Sequence, residues 1–178
     1  MAKRIAISGS AGIGKSTLAR RLAADLDLPY LGEGMREYLE RTGEDLHRIG
    51  RDGLRELVLQ FWEERKIAES AATAGFVADR ASYDFAAFWL YYQFGSDDSR
   101  TEAFLAEALA PGRYDRVYLL PWGVIPLVDD GVRWANRWTQ LHMQLLIEGV
   151  VRRHSPAAVD ITEVGLEDRV IRIRADIG

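Results

Sequence analysis

Short apolar runs alternate with longer stretches of helical period along the chain, the pattern of an α/β fold with a mainly parallel sheet. Residues 4–8 make a run short and apolar enough for a buried strand. After it Leu18, Leu22 and Leu26 recur at steps of four, a stripe with which a helix over 15–26 packs on a sheet. Residues 29–33 read as a second short strand, and 35–41 as a helix running up to Gly43. Leu54, Leu57, Val58, Phe61 and Trp62 mark a long amphipathic helix over about 52–73, ended by Gly75, with a third strand over 76–79. Aromatics on most faces of 82–92 predict a largely buried helix. Residues 100–110 predict another, stopped by Pro111 and Gly112, and 116–120 a fourth strand ending at Pro121. A loop rich in Trp, Gly, Pro and Asp covers 121–135. Trp138, Leu141, Leu145 and Leu146 then mark the apolar face of a helix, 157–161 a fifth strand, and Leu166, Val170 and Ile173 the stripe of a terminal helix. Five strands with helices on both faces make a small doubly wound sheet.

The first strand and first helix are joined by Gly9, Ser10, Ala11, Gly12, Ile13, Gly14, Lys15, Ser16 and Thr17, which satisfy G-x-x-x-x-G-K-[ST] in the strand-to-helix context a P-loop requires. Glycines let successive N–H groups turn toward phosphate oxygens, and the following helix directs its positive end at the same anion. Lys15 then reaches the β- and γ-phosphates, and Ser16 offers its hydroxyl to Mg²⁺. A plain Gly-rich turn explains neither the lysine nor the hydroxyl, so ATP with Mg²⁺ is the expected nucleotide.

Asp79 stands at the carboxyl end of the third strand, the edge where ligands of open α/β sheets gather. It is a candidate to hold Mg²⁺ through water, or to accept the proton of a hydroxyl attacking the γ-phosphate. The competing readings are a helix N-cap and an ion pair with Arg80, itself a candidate substrate ligand. Glu33 and Arg36 fall on the same edge and suit a polar acceptor. Arg133 and Arg137 are spaced i, i+4, so a helix would put both on one side, where a lid over about 122–138 needs cations to cover the γ-phosphate. Arg133 is the candidate catalytic lid residue and Arg137 a candidate substrate ligand; pairing with Asp129 or Asp130 on a solvated face is the plainer alternative. His47, His142 and His154 lack a metal-ligand spacing.

Composition narrows the classes. The chain has 178 residues, 48% of them apolar, which suits one domain over 1–178 with its own core. A net charge of −4 offers no broad basic face to a nucleic-acid backbone. No cysteine is present, which removes disulfides and thiolate catalysis and fits a reducing compartment. Without a signal-peptide pattern or a run of about 18 apolar residues, a cytoplasmic protein away from membranes is expected. Pairing into a homodimer stays open.

Taken together, the P-loop, the run Glu33-Gly34-Met35-Arg36-Glu37-Tyr38-Leu39, the run Val77-Ala78-Asp79-Arg80, Pro121-Trp122, Asp129-Asp130-Gly131-Val132-Arg133 and the closing Gly165-Leu166-Glu167-Asp168-Arg169 resemble one family. It is the group of P-loop kinases related to the nicotinamide riboside kinase domain of bacterial NAD-biosynthesis regulators, also described as AAA-type ATP-binding proteins. The resemblance implies a kinase of the nucleoside and nucleotide type that moves the ATP γ-phosphate to a small hydroxylated acceptor. It puts Asp79 at the acceptor-binding or base carboxylate and Arg133 at the lid. The chain departs from that pattern in a longer spacing between Trp122 and Asp130, and it is expected to carry no adenylyltransferase domain. Two other readings stay in view: an ATPase or nucleotide switch acting on a protein partner, and a nucleoside monophosphate kinase, for whose acceptor phosphate Arg36, Arg80 and Arg137 are the available cations.

Overall fold

The computed structural model describes residues 3–44, 48–92, 94, 98–126 and 136–178. Period-two alternation sets its centre. In β1 (Lys3–Ser8), Ile5 and Ile7 point to one side of the sheet and Ala6 to the other, and all three are buried, so this strand must be covered on both faces. Its neighbours are β3 (Gly75–Asp79) and β4 (Arg116–Leu119), both parallel to it; β2 (Tyr30–Leu31) extends the sheet beyond β3 and β5 (Ala158–Asp160) beyond β4. The strand order is β2-β3-β1-β4-β5, all parallel, as the alternation of elements predicts. Register places Ile7 opposite Asp79, so the turn after β1 and the end of β3 lie side by side. Gly75 opens β3 at a φ of +123°, and a Cβ there would collide with the backbone of Lys3 on the paired strand.

One layer of helices is α1 (Lys15–Leu26) and α7 (Leu166–Ile177), whose Leu18, Leu22, Val170 and Ile173 pack on Ile5, Ile7, Val77 and Tyr118. The other face carries α4 (Ser82–Tyr91) and α6 (Arg137–His154), with Tyr83, Ala87, Ile147 and Val151 against Ala6, Phe76, Ala78 and Val117. Outside α4, α3 (Arg51–Ala71) and α5 (Ser99–Ala108) close an aromatic cluster of Phe61, Trp62, Phe85, Trp89 and Phe104. Burial of α4 on nearly every side is why its aromatics show no amphipathic period, as its composition predicts. The short α2 (Met35–Thr42) follows β2. Among the described residues no helix is long and apolar enough to cross a membrane.

Two expectations need correction. The strand expected over 29–33 is only Tyr30 and Leu31, because Leu31 and Gly32 turn their carbonyls to the buried Arg65 of α3. The face of α6 is also misassigned in part by its apolar pattern, of which Leu146 does pack on the core. Trp138 and Leu145 are 68% and 59% exposed, whereas Gln140, Met143, Gln144, Ile147 and Val151 are buried. The helix abuts the polar backbone of the turn after β1, and a buried backbone amide or carbonyl demands a hydrogen-bonding side chain in place of a methyl group.

Candidate functional site

The segment after β1 bends through three positive-φ glycines, Gly9, Gly12 and Gly14, and α1 starts at Lys15 with Gly14 as its N-cap. Among the described residues no side chain caps the first amides of α1, which leaves them available to an anion. The loop is held from below by side chains drawn from far along the chain. Asp84 of α4, fully buried, accepts from Ser8 Oγ (2.5 Å), from the amide of Gly9 (3.2 Å) and from the amide of Ala81 (3.0 Å). Gln144 of α6 accepts from the amide of Ser10 (2.7 Å) and donates to the carbonyl of Leu120 (3.0 Å), while Gln140 donates to the carbonyl of Ala11 (2.6 Å). On the α7 side Arg169 donates from Nη1 to the carbonyl of Ile13 (2.9 Å) and from Nε to that of Glu163 (2.8 Å). The motif supplies the turn, and these distant groups fix its shape.

Lys15 is buried, its ammonium donating to the carbonyl of Ser10 at 2.5 Å. Burial pushes its pKa down from the ordinary 10.5 to about 8, with Arg80 acting in the same direction and Asp79, Glu33 and Asp84 against it. These charges therefore share one site. A bound phosphate needs the ammonium form and raises the pKa again. Nucleotide affinity should thus be level below about pH 8 and fall by up to tenfold per pH unit above it. The unliganded protein should show the opposite trend. Between about 8 and 10.5 the unfolded chain holds more protons at this lysine than the folded one does, so this group's contribution to stability rises with pH. Titrating ADP affinity and melting temperature across this range checks both signs; parallel trends contradict the assignment to Lys15.

The loop and Lys15 form one wall of a cleft of about 480 Å³, lined by Gly12, Gly14, Lys15, Ser16 and Thr17 and faced by Ile125, Val164, Leu166 and Arg169. Across β1 from it, at the carboxyl ends of β2 and β3, lie the carboxylates. Asp79 is 2% exposed; Tyr30 donates its hydroxyl to Oδ2 at 3.3 Å, and Oδ1 has no partner among the described residues. The phenol of Tyr30, partly desolvated and facing Asp79, has its pKa pushed up to about 12, so it stays a donor. Neither competing reading of Asp79 survives. Asp84, not Asp79, accepts from the α4 N-terminus, and Arg80 pairs elsewhere. That arginine, 4% exposed and at a positive φ of 81°, donates from Nε to Glu33, lies 3.5 Å from Asp84, donates to the carbonyl of Gly9 (3.2 Å) and sits over the ring of Phe88. Glu33, Asp84 and Asp79 outweigh the burial that opposes its charge and hold it protonated above the usual range.

Arg65 is a further residue that the sequence reading missed. Buried in α3, it donates to the carbonyls of Gly32 (2.6 Å), Asp79 (2.9 Å) and Arg80 (2.7 Å), pinning the ends of β2 and β3 together. Of the remaining candidates, Glu33 is brought to Arg80 and Arg36 lies in the first turn of α2, its side chain outside the described residues. Arg137 begins α6 and stacks against the indoles of Trp122 (5.0 Å) and Trp138 (5.5 Å), away from the cleft lining. Arg133, Asp129 and Asp130 lie outside the described residues. Asn136 caps α6 through its side chain, and Arg137 is the first residue of this helix.

A model described as an AAA domain matches residues 4–169. The chain belongs to the AAA domain family. No curated protein matches it. Among solved structures, this AAA domain is similar to the NadR protein in complex with NR (18% identity, TM-score 0.73, over 99% of this chain and 48% of that one). It is also similar to shikimate kinase from Acinetobacter baumannii in complex with shikimate (17%, 0.65, over 99% and 93%). A third neighbour is deoxyadenosine kinase from M. mycoides with products dCMP and a flexible dCDP bound (14%, 0.66, over 98% of each). The chain spans about half the length of the NadR chain it matches. Its fold is that of P-loop kinases, and the NadR protein among these neighbours agrees with the group that the resemblance names.

Proposed function

We propose that the chain transfers the γ-phosphate of Mg·ATP to a hydroxyl of a small nucleoside-like or cofactor-like metabolite that carries no phosphate where it binds. One observation carries the reading: the buried Asp79 keeps an oxygen without a partner among the described residues at the end of β3, in the same field of charges as Lys15 of the P-loop. An unpaired buried carboxylate oxygen costs roughly 1–3 kcal/mol or more, a cost offset when an acceptor hydroxyl donates to it. In the proposed step the acceptor oxygen bonds to the γ-phosphorus, its proton passes to Asp79 Oδ1, the bond from phosphorus to the bridging oxygen breaks, and ADP leaves. Lys15 and the amides of Gly12 to Thr17 stabilise the phosphate charge, and Tyr30 orients the carboxylate through Oδ2. Mg²⁺, when bound, would neutralise phosphate charge; the hydroxyl of Ser16 fits it, and Asp79 would reach it through water. Among the described residues no cluster of three His, Cys, Asp or Glu side chains holds a metal alone, which accords with an ion that arrives on the nucleotide.

The state of Arg80 favours an unphosphorylated acceptor over a nucleoside monophosphate. It is buried and already engaged with Glu33, Asp84 and the carbonyl of Gly9, so it serves as a frame for the site. Phosphorylation of nucleosides but not of nucleoside monophosphates is the expected outcome of a paired assay; the reverse preference overturns this part. The whole chain acts here as one kinase domain, with a lid over about 122–138. Within it Arg133 meets the γ-phosphate at transfer, so Arg133→Ala should lower the transfer rate by about 10²-fold with little change in ATP affinity or melting temperature. A lowered melting temperature with unchanged turnover would mark Arg133 as a structural ion-pair partner.

A further inference from the structure

Among the described residues Arg169 is the one cleft-lining cation outside the P-loop, and it is unusual in three respects. It is 2% exposed, deeper than a surface guanidinium on a helix has reason to be. Its Nε and Nη1 bond only to backbone carbonyls, of Glu163 and Ile13, which accept hydrogen bonds but carry no net charge. Its Nη2 has no hydrogen-bond partner among the described residues. Burial lowers its pKa, and Glu163 alone acts against that. A buried cation without a carboxylate is costly to keep, and the cost is met when an anion enters beside it.

The surroundings say which anion. Nη1 and Nε tie the P-loop to the segment between β5 and α7, so the guanidinium bridges the phosphate-facing wall and the apolar wall made by Val164, Leu166 and Ile125. The apolar wall suits a flat ring, and Lys15 takes the distal phosphates. The fit around the arginine is close: a Cβ on Gly14 would lie 3.3 Å from Arg169 Nη1 and 3.3 Å from Ile125 Cδ1, so the glycine that caps α1 also makes room for the guanidinium.

Resting on the nucleotide reading above, we infer that Arg169 is a nucleotide-binding residue, its unpartnered Nη2, buried in the unliganded protein, turning to donate to the phosphate next to the nucleoside while its other two donors hold the P-loop to the facing wall. Leu166, Val170 and Ile173 account for the helix as a packing element, and the closing run Gly165 to Arg169 carries the family resemblance without giving this arginine a role.

The test is Mg·ADP binding to the full chain by calorimetry, at low and high salt, in wild type, Arg169→Gln and Arg169→Lys. Arg169→Gln should bind at least tenfold more weakly and with a shallower salt dependence, whereas Arg169→Lys, which keeps the charge, should recover part of the affinity at a similar unliganded melting temperature. Wild-type affinity and salt slope in Arg169→Gln overturn the inference alone. So does a loss that follows the unliganded melting temperature, with lysine no better than glutamine, which would leave Arg169 a structural clamp. Absence of ADP binding to the wild type overturns it together with the nucleotide reading. Should the glutamine variant fail to fold, the side-chain ¹⁵N signal of Arg169 in the wild type decides: it should shift on saturation with Mg·ADP, and an unmoved signal rejects the contact.

Discussion

Asp79→Asn should slow phosphoryl transfer by about 10²–10⁴-fold, the range for removing a positioned general base, while ATP affinity and the fold survive. The amide has the size of the carboxylate and can still accept from Tyr30 at the Oδ2 position, so the end of β3 keeps its shape. What disappears is a basic oxygen for the acceptor proton. Asp79 also helps to hold the buried Lys15 and Arg80 charged, so the melting temperature should fall modestly while the protein stays folded. Steady-state kinetics with binding measured separately distinguishes the roles. A change confined to acceptor KM makes Asp79 a binding group, and a loss of Mg·ATP affinity makes it a metal group.

Lys15→Met should have a comparable effect through the other substrate. It keeps the length and packing of a side chain that is buried, and removes the cation aimed at the phosphates. Transfer should fall by about 10²–10³-fold, the scale of losing one preorganised charge-stabilising donor. The unliganded melting temperature should hold or rise, because the lysine is charged at neutral pH despite burial that pushes its pKa to about 8. Unchanged turnover in a folded Lys15→Met protein removes the nucleotide-enzyme reading.

The parts of this site that local sequence encodes were readable, and the parts assembled across the fold were not. The turn at Gly9 to Thr17 and the carboxylate at the end of β3 are signals within single segments. Leu18 and Leu22 of α1 report their partner by period alone, because that partner is an apolar sheet. On α6 the same rule fails. The helix faces a polar loop, so its buried stripe runs through Gln140 and Gln144, whose partners Ala11 and Ser10 lie more than a hundred residues earlier. The spacing 140, 143, 144, 147 and 151 is helical and could have located that face, had polar residues been allowed on it. Arg65, Asp84 and Arg169 share this history. Each is a charged residue whose burial is stabilised by backbone groups of remote segments, and composition marks such residues as solvent-facing. Arg80 shows the converse. Its position at the sheet edge was legible, but its engagement by Glu33 and Asp84 needs three segments to meet.

The central claim is transfer to a small, unphosphorylated hydroxyl compound, and it is tested most directly by following ATP consumption across a library of nucleosides and cofactor-like metabolites, with intact-mass detection of the acceptor. ADP formation should be slow without acceptor and rise sharply with one compound, which gains one phosphate for each ADP released. ATP hydrolysis at one rate throughout, with no compound gaining a phosphate, would contradict the account.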